Sequence, residues 1–177
     1  MSRIETVRNL QPDPHCLMRR GGWNCSPSPD NGKYRYEANS GVTGASVSAW
    51  QPLSNQYMAG KVLYARITAG QAVLDRLDVE KATTIARHDD WIAARVNDST
   101  VGNHSIWLMR GPVTLEEVGC YSPEDWETTY DAYLHGRLMR PWFAGDLNLA
   151  NSVGGGGGVG LTSRYRAYPH LDCEVCA

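Results

Sequence analysis

From Lys33 onward, apolar and polar residues alternate with a period of two. In Lys33-Tyr34-Arg35-Tyr36-Glu37 the tyrosines fall on one face and the charges on the other, as in a half-buried strand. Ala45-Ser46-Val47-Ser48-Ala49-Trp50 alternates again, and similar runs follow at 61–67, 72–80, 82–87, 91–96, 104–110 and 113–118. Gly, Asn, Asp or Pro separates these runs at spacings of about ten residues, a pattern that predicts an antiparallel sandwich. Strands this short bury little alone, so two sheets must share a core. Ahead of Lys33 the periodic signal is thin. Pro12, Pro14, Pro27, Pro29 and the Gly21-Gly22 pair favour extended and turning backbone. Asp30-Asn31-Gly32 marks a turn, because Gly and, less readily, Asn accept positive φ.

After residue 118 the period changes. Ser122 is suited to cap a helix, Pro123 to its first position and Asp125 to the acidic place of a capping box. Glu124, Asp125 and Glu127 complement the positive helix end. Trp126, Tyr130, Tyr133 and Leu134 recur at helical spacing and form one stripe; it packs against the sandwich or faces a partner protein. Gly136 is the expected stop, which sets a helix over 123–135. Residues 151–160 contain five consecutive glycines and predict a flexible linker. The segment 161–177 is too short for a core of its own and is expected to dock on another surface.

Composition narrows the class. The chain has 177 residues, enough for one main domain over 1–150 plus extras. Eighteen Gly, nine Pro and six Trp against a single Phe suit a turn-rich β protein better than a helical bundle. A net charge of −2 offers no broad basic field for nucleic acid or acidic membranes. No run of about 18 apolar residues predicts membrane insertion. The start lacks the apolar stretch of a secretory signal, and the cysteine count of five is odd. Together these favour free thiols in a reducing cytoplasm.

Two segments resemble a known family. Asn9-Leu10-Gln11-Pro12-Asp13-Pro14 is similar to the opening strand of carbohydrate-binding-like modules, with Trp23 in the place of their early Trp. Leu115-Glu116-Glu117-Val118-Gly119, Ser122-Pro123-Glu124-Asp125-Trp126 and Trp142-Phe143-Ala144-Gly145-Asp146 resemble the last strand, short helix and closing motif of such modules in phage tail and other virion proteins. Asp90-Trp91-Ile92-Ala93-Ala94-Arg95-Val96 resembles their Trp-led strand, so the likeness covers roughly 9–146. It implies an all-β, antiparallel jelly-roll β-sandwich with one short C-terminal helix and a Gly-linked tail. It also implies a structural, non-enzymatic role in a virion, as a minor tail or surface decoration component that contacts other virion proteins and its own copies. Sugar-binding relatives continue the opening motif with an aromatic and an acid that help hold calcium. Here His15-Cys16-Leu17-Met18-Arg19 stands there, and two bases and a thiol are poor company for a cation that wants hard oxygen ligands.

The remaining residues suggest several chemistries. Strand parity puts Trp50 with Ser46 and Ser48, opposite Ala45, Val47 and Ala49. It puts Trp107 with Ser105 and Met109, opposite Ile106 and Leu108. Either indole could stack a pyranose of a host-surface glycan on an open face, or lie in the core or a protein interface. Cys173 and Cys176 form a CxxC with His170 nearby; free thiols, a disulfide or part of a structural zinc site are the readings, and no other cofactor is expected. Arg164, Tyr165, Arg166 and Tyr168 make a basic–aromatic tail, suited to an acidic protein groove ahead of nucleic acid. His88-Asp89-Asp90 reads as a polar turn rather than a hydrolytic metal site. No G-x-S-x-G or phosphate-cradling glycine motif occurs, and no enzyme is expected.

Overall fold

The structure is a computed structural model and describes residues 6–50, 58–68, 82–97, 105–108 and 111–149. These residues are mostly β, with one helix. Six strands form the largest sheet: β3 (Cys25–Asp30), β4 (Lys33–Ala38), β10 (Val113–Tyr121), β6 (Val62–Thr68), β8 (Trp91–Val96) and β7 (Ala82–Arg87), in that spatial order. A smaller sheet holds β2 (Gly22–Trp23), β5 (Ser46–Val47) and β9 (Ile106–Trp107). A third pairing joins β1 (Thr6–Arg8) to β11 (Asp146–Asn148), and α1 spans Pro123–Leu134. Every pairing is antiparallel.

The large sheet is covered on both faces, which explains the unbroken burial of Val62-Leu63-Tyr64-Ala65 in β6. On one face Leu63, Ala65, Ile67, Ile92, Ala94 and Leu115 meet Ala45, Val47, Ile106 and Leu108 around the small sheet. On the other, Val62, Tyr64, Trp91, Ala93 and Tyr121 meet Trp126 of α1, Phe143, and Val7 and Leu147 of the β1–β11 ribbon. The all-β layered arrangement follows: short strands find two covered surfaces instead of one.

A bulge keeps β10 in step with both layers. The register against β6 shifts between Leu115 and Glu117, so Val113 and Leu115 face the same core as Val118 and Cys120. An extra residue, Glu116, absorbs the change of parity. Its carboxylate takes Lys33 Nζ at 2.7 Å and Thr68 Oγ1 at 2.7 Å.

β3 contains Pro27 and Pro29, which the sequence marks as extended and turning backbone. It is the sheet edge. Two residues apart, the prolines put their donor-less nitrogens on the same side of the strand, and an edge tolerates that. Asp30-Asn31-Gly32-Lys33 closes the β3–β4 hairpin, with Asn31 at φ 48° and Gly32 at φ 80°, as a tight two-residue turn requires.

Helix α1 starts and stops as its sequence predicts. Asp125 N donates to Ser122 Oγ at 3.0 Å with Pro123 in the first turn. Gly136, at φ 69°, ends it, and Gly136 N→Tyr133 O and Arg137 N→Ala132 O close the last turn. Trp126 is buried and Tyr130 and Tyr133 are partly buried, whereas Leu134 points to solvent. The stripe therefore packs against the sandwich through its aromatic members only. The expected strand at 72–80, the linker 151–160 and the tail 161–177 lie outside the described residues.

Candidate functional site

The two motif segments, over a hundred residues apart, meet on β10. Asn9 is buried and makes four hydrogen bonds there. Its Nδ2 donates to Phe143 O at 2.8 Å and Val118 O at 3.3 Å, and its Oδ1 accepts from Gln11 N and Cys120 N, each at 3.1 Å. Its backbone N–H reaches Gly145 O at 2.8 Å, while Leu10 N reaches Cys120 O and Val118 N reaches Pro14 O. Trp142 Nε1 also donates to Val118 O, at 2.9 Å. The opening segment thus covers the length of β10 that β4 does not pair, and Asn9 locks the closing motif onto it.

Beyond Asn9 the chain folds onto Asp13. Leu17 N and Met18 N donate to its two carboxylate oxygens, and Arg20 Nη2 lies 3.0 Å from Oδ2 and 2.7 Å from Asp13 O. Both side chains of this ion pair are buried. A guanidinium thus supplies the positive charge beside this carboxylate. Cys16, in the left-handed region at φ 55°, is buried alongside. Burial, the dominant influence, pushes its thiol up to about 11 against the opposing pull of Arg20.

The exposed chemistry lies on the outer face of the small sheet. Trp23 of β2 and Trp107 of β9 flank Ser46 of β5 in one row, since the register pairs Trp23 with Ser46 and Ser46 with Trp107. The indoles are 55% and 39% exposed, with ring centroids 6.1 Å apart and planes inclined by 35°. Gly44 makes room for them. A Cβ there would stand 2.8 Å from Trp23 Cζ3 and 3.0 Å from Trp107 Cη2. Asn24, at φ 52°, carries the chain in one residue from β2 in the small sheet to β3 in the large one, and its Nδ2 holds Gly44 O at 3.0 Å. Cys25 lies behind, with its thiol on Ser46 O at 3.4 Å, and burial raises its pKa. The result is a tilted pair of half-exposed indoles packed on one another above Gly44.

Trp107 therefore stands where strand parity put it, outward between Ile106 and Leu108. Trp50 does not. Its side chain is 1% exposed and Nε1 donates to Tyr64 O at 3.0 Å. The regular pairing of β5 ends at Val47, the alternation lapses, and Ala49 and Trp50 are buried in succession. Trp23, which parity could not reach, is the other exposed indole of the pair. Its strand is two residues long, and only its place after Gly21-Gly22 in the family likeness marked it.

His88-Asp89-Asp90 forms the β7–β8 hairpin loop. His88 stacks on Trp91 at 6.1 Å and Asp90 lies 3.5 Å from Arg66, as befits a polar turn. Cys16, Cys25 and Cys120 are free thiols. Among the described residues no group of three or more His, Cys, Asp or Glu is placed to hold a metal ion. No helix among them is long and apolar enough to cross a membrane. His170, Cys173 and Cys176, with Arg164, Tyr165, Arg166 and Tyr168, lie outside the described residues. No family profile, curated protein or solved structure matches the chain.

Proposed function

We propose that the chain is a virion structural protein: a jelly-roll, carbohydrate-binding-like module of a phage tail or particle surface that acts by protein–protein contact and not by turnover. The observation that carries this reading is the meeting of the opening and closing motifs at Asn9. Two segments recognised separately turn out to be one physical unit, and that supports reading them as a family frame rather than as chance matches. The exposed Trp23–Trp107 pair supplies a contact face, since aromatic anchors dominate interface energetics. The Gly-linked tail would tether neighbouring subunits. Tethering raises local concentration, so a short weak segment can still secure assembly. The test is mass spectrometry of gradient-purified particles from the host that makes the protein. A fixed copy number per particle is expected; absence from intact particles overturns the reading.

The tryptophan pair itself favours a second reading, a module that recognises host-surface glycan. Adjacent indole faces stack on the apolar face of a pyranose. In this case Trp107→Ala and Trp23→Ala abolish binding on a glycan array while the melting temperature holds. Equal array signals for wild type and variants reject it.

A further inference from the structure

We propose that Asn31 is a site of self-modification: in the folded chain its side-chain amide is lost to the backbone of Gly32, and the β3–β4 turn is converted to an acidic form. The inference is independent of the contact reading above.

The sequence has one Asn-Gly pair, Asn31-Gly32, and both residues are exposed at the tip of the β3–β4 hairpin. Hydrogen bonding separates Asn31 from the other asparagines whose side chains are described. Asn9 is buried and bonded at both amide atoms. Asn24 Nδ2 donates to Gly44 O at 3.0 Å, Asn39 Oδ1 accepts from Ser26 Oγ at 2.6 Å, and Asn97 Oδ1 accepts from Thr83 Oγ1 at 3.0 Å. Among the described residues none bonds the Asn31 amide.

The next residue supplies the nucleophile. Gly32 has no side chain to shield its nitrogen, and a Cβ built there would meet nothing within 4 Å. The Gly32 amide nitrogen attacks Asn31 Cγ. The new N–Cγ bond forms, the Cγ–Nδ2 bond breaks, and ammonia leaves with the proton from the Gly32 amide. Water then opens the five-membered imide at either carbonyl and yields aspartate or isoaspartate. Nothing is oxidised or reduced, and water is the one co-reactant.

The products alter the turn in two ways. Both place a carboxylate beside Asp30 where an amide stood. In isoaspartate the backbone also runs through the side-chain carbon, so the turn gains one chain atom. Its two ends are held to β10: Asp30 Oδ2 accepts from Thr114 Oγ1 at 2.8 Å, and Lys33 Nζ donates to Glu116 Oε2 at 2.7 Å. A longer loop between ends so held no longer closes as the two-residue turn that Asn and Gly suit.

The test incubates the full folded chain in mildly alkaline buffer until a synthetic peptide of residues 28–34 has half converted beside it. Isoelectric focusing and peptide mapping by mass spectrometry follow both. The folded chain should accumulate an acidic form, with aspartate and isoaspartate at position 31 ahead of any conversion at Asn24, Asn39 or Asn97. The rate should rise with pH, because the deprotonated amide nitrogen attacks. Asn31→Gly keeps the turn, since Gly-Gly also suits it, and removes the amide; a melting curve checks its fold, and the acidic form should be lost. An Asn31 that stays intact in the folded chain while the peptide converts overturns the inference, because the fold then protects the site. Earlier conversion at Asn24, Asn39 or Asn97, or an acidic form undiminished in Asn31→Gly, overturns it as well.

Discussion

Asn9 ties three segments of the fold together. One side chain satisfies backbone groups of the opening segment, β10 and the closing motif, all away from water. Asn9→Ala leaves those donors and acceptors buried and unpaired, at about 1–3 kcal/mol for each that finds no substitute. A total loss of about 3–5 kcal/mol in urea unfolding is expected, and a loss below about 1 kcal/mol would mean that the clamp is dispensable. The tryptophans divide by the same logic of burial. Trp50→Ala opens a cavity in the inter-sheet core and strands Tyr64 O, for a cost of roughly 3–5 kcal/mol. Trp107→Ala, at a half-exposed site, should cost about 1 kcal/mol or less. Comparing the two denaturation midpoints separates a core tryptophan from a contact tryptophan. Similar midpoints would contradict the assignment.

At the scale of elements, the bulge of β10 makes the stability of the large sheet depend on acid. Burial opposes ionisation of Glu116, but Lys33, the Thr68 hydroxyl and Arg66 outweigh it and hold the carboxyl below its ordinary value of 4.5. A depressed folded pKa means stability that is present above the ordinary value and lost as pH falls through the folded one. Glu116→Gln should therefore flatten the decline of unfolding free energy below about pH 4.5. An unchanged acid limb in the variant would show that other carboxylates set it. At α1, Ser122→Ala should cost about 1 kcal/mol by freeing Asp125 N–H. A cost near zero in thermal melts would mean that packing of Trp126 alone fixes the helix start.

These elements also show what the sequence made legible. The helix was readable from end to end, because caps are local: Ser122, Pro123 and Gly136 act within one turn of themselves. β4, β6, β7, β8 and the start of β10 were readable because each carries alternation or a compact apolar run. β3 was not, since two prolines suit only an edge, and edge position is decided by distant pairing. For Trp50 the core reading holds and the outward one does not, because parity arguments hold only while the strand lasts. The last three residues of β10, Gly119 to Tyr121, lie past the expected run 113–118, which already spans the bulge at Glu116. Of the candidate site, Trp107 was visible in its own strand. Trp23 was not, because a two-residue strand has no period to read, and the row Trp23–Ser46–Trp107 exists only after three segments come together.

The described residues form a layered body whose two covered faces bury most of its large apolar side chains, and the Trp23–Trp107 pair is left uncovered. The contact role makes a demand that stability cannot mimic: the pair should matter to the particle and not to the fold. The decisive measurement is the copy number of the Trp23→Ala/Trp107→Ala protein in purified particles, relative to wild type, with its melting curve recorded alongside. A folded variant missing from otherwise intact particles, or present at a small fraction of the wild-type number, is the expected result. A folded variant incorporated at the full wild-type number would contradict the contact role assigned to this face.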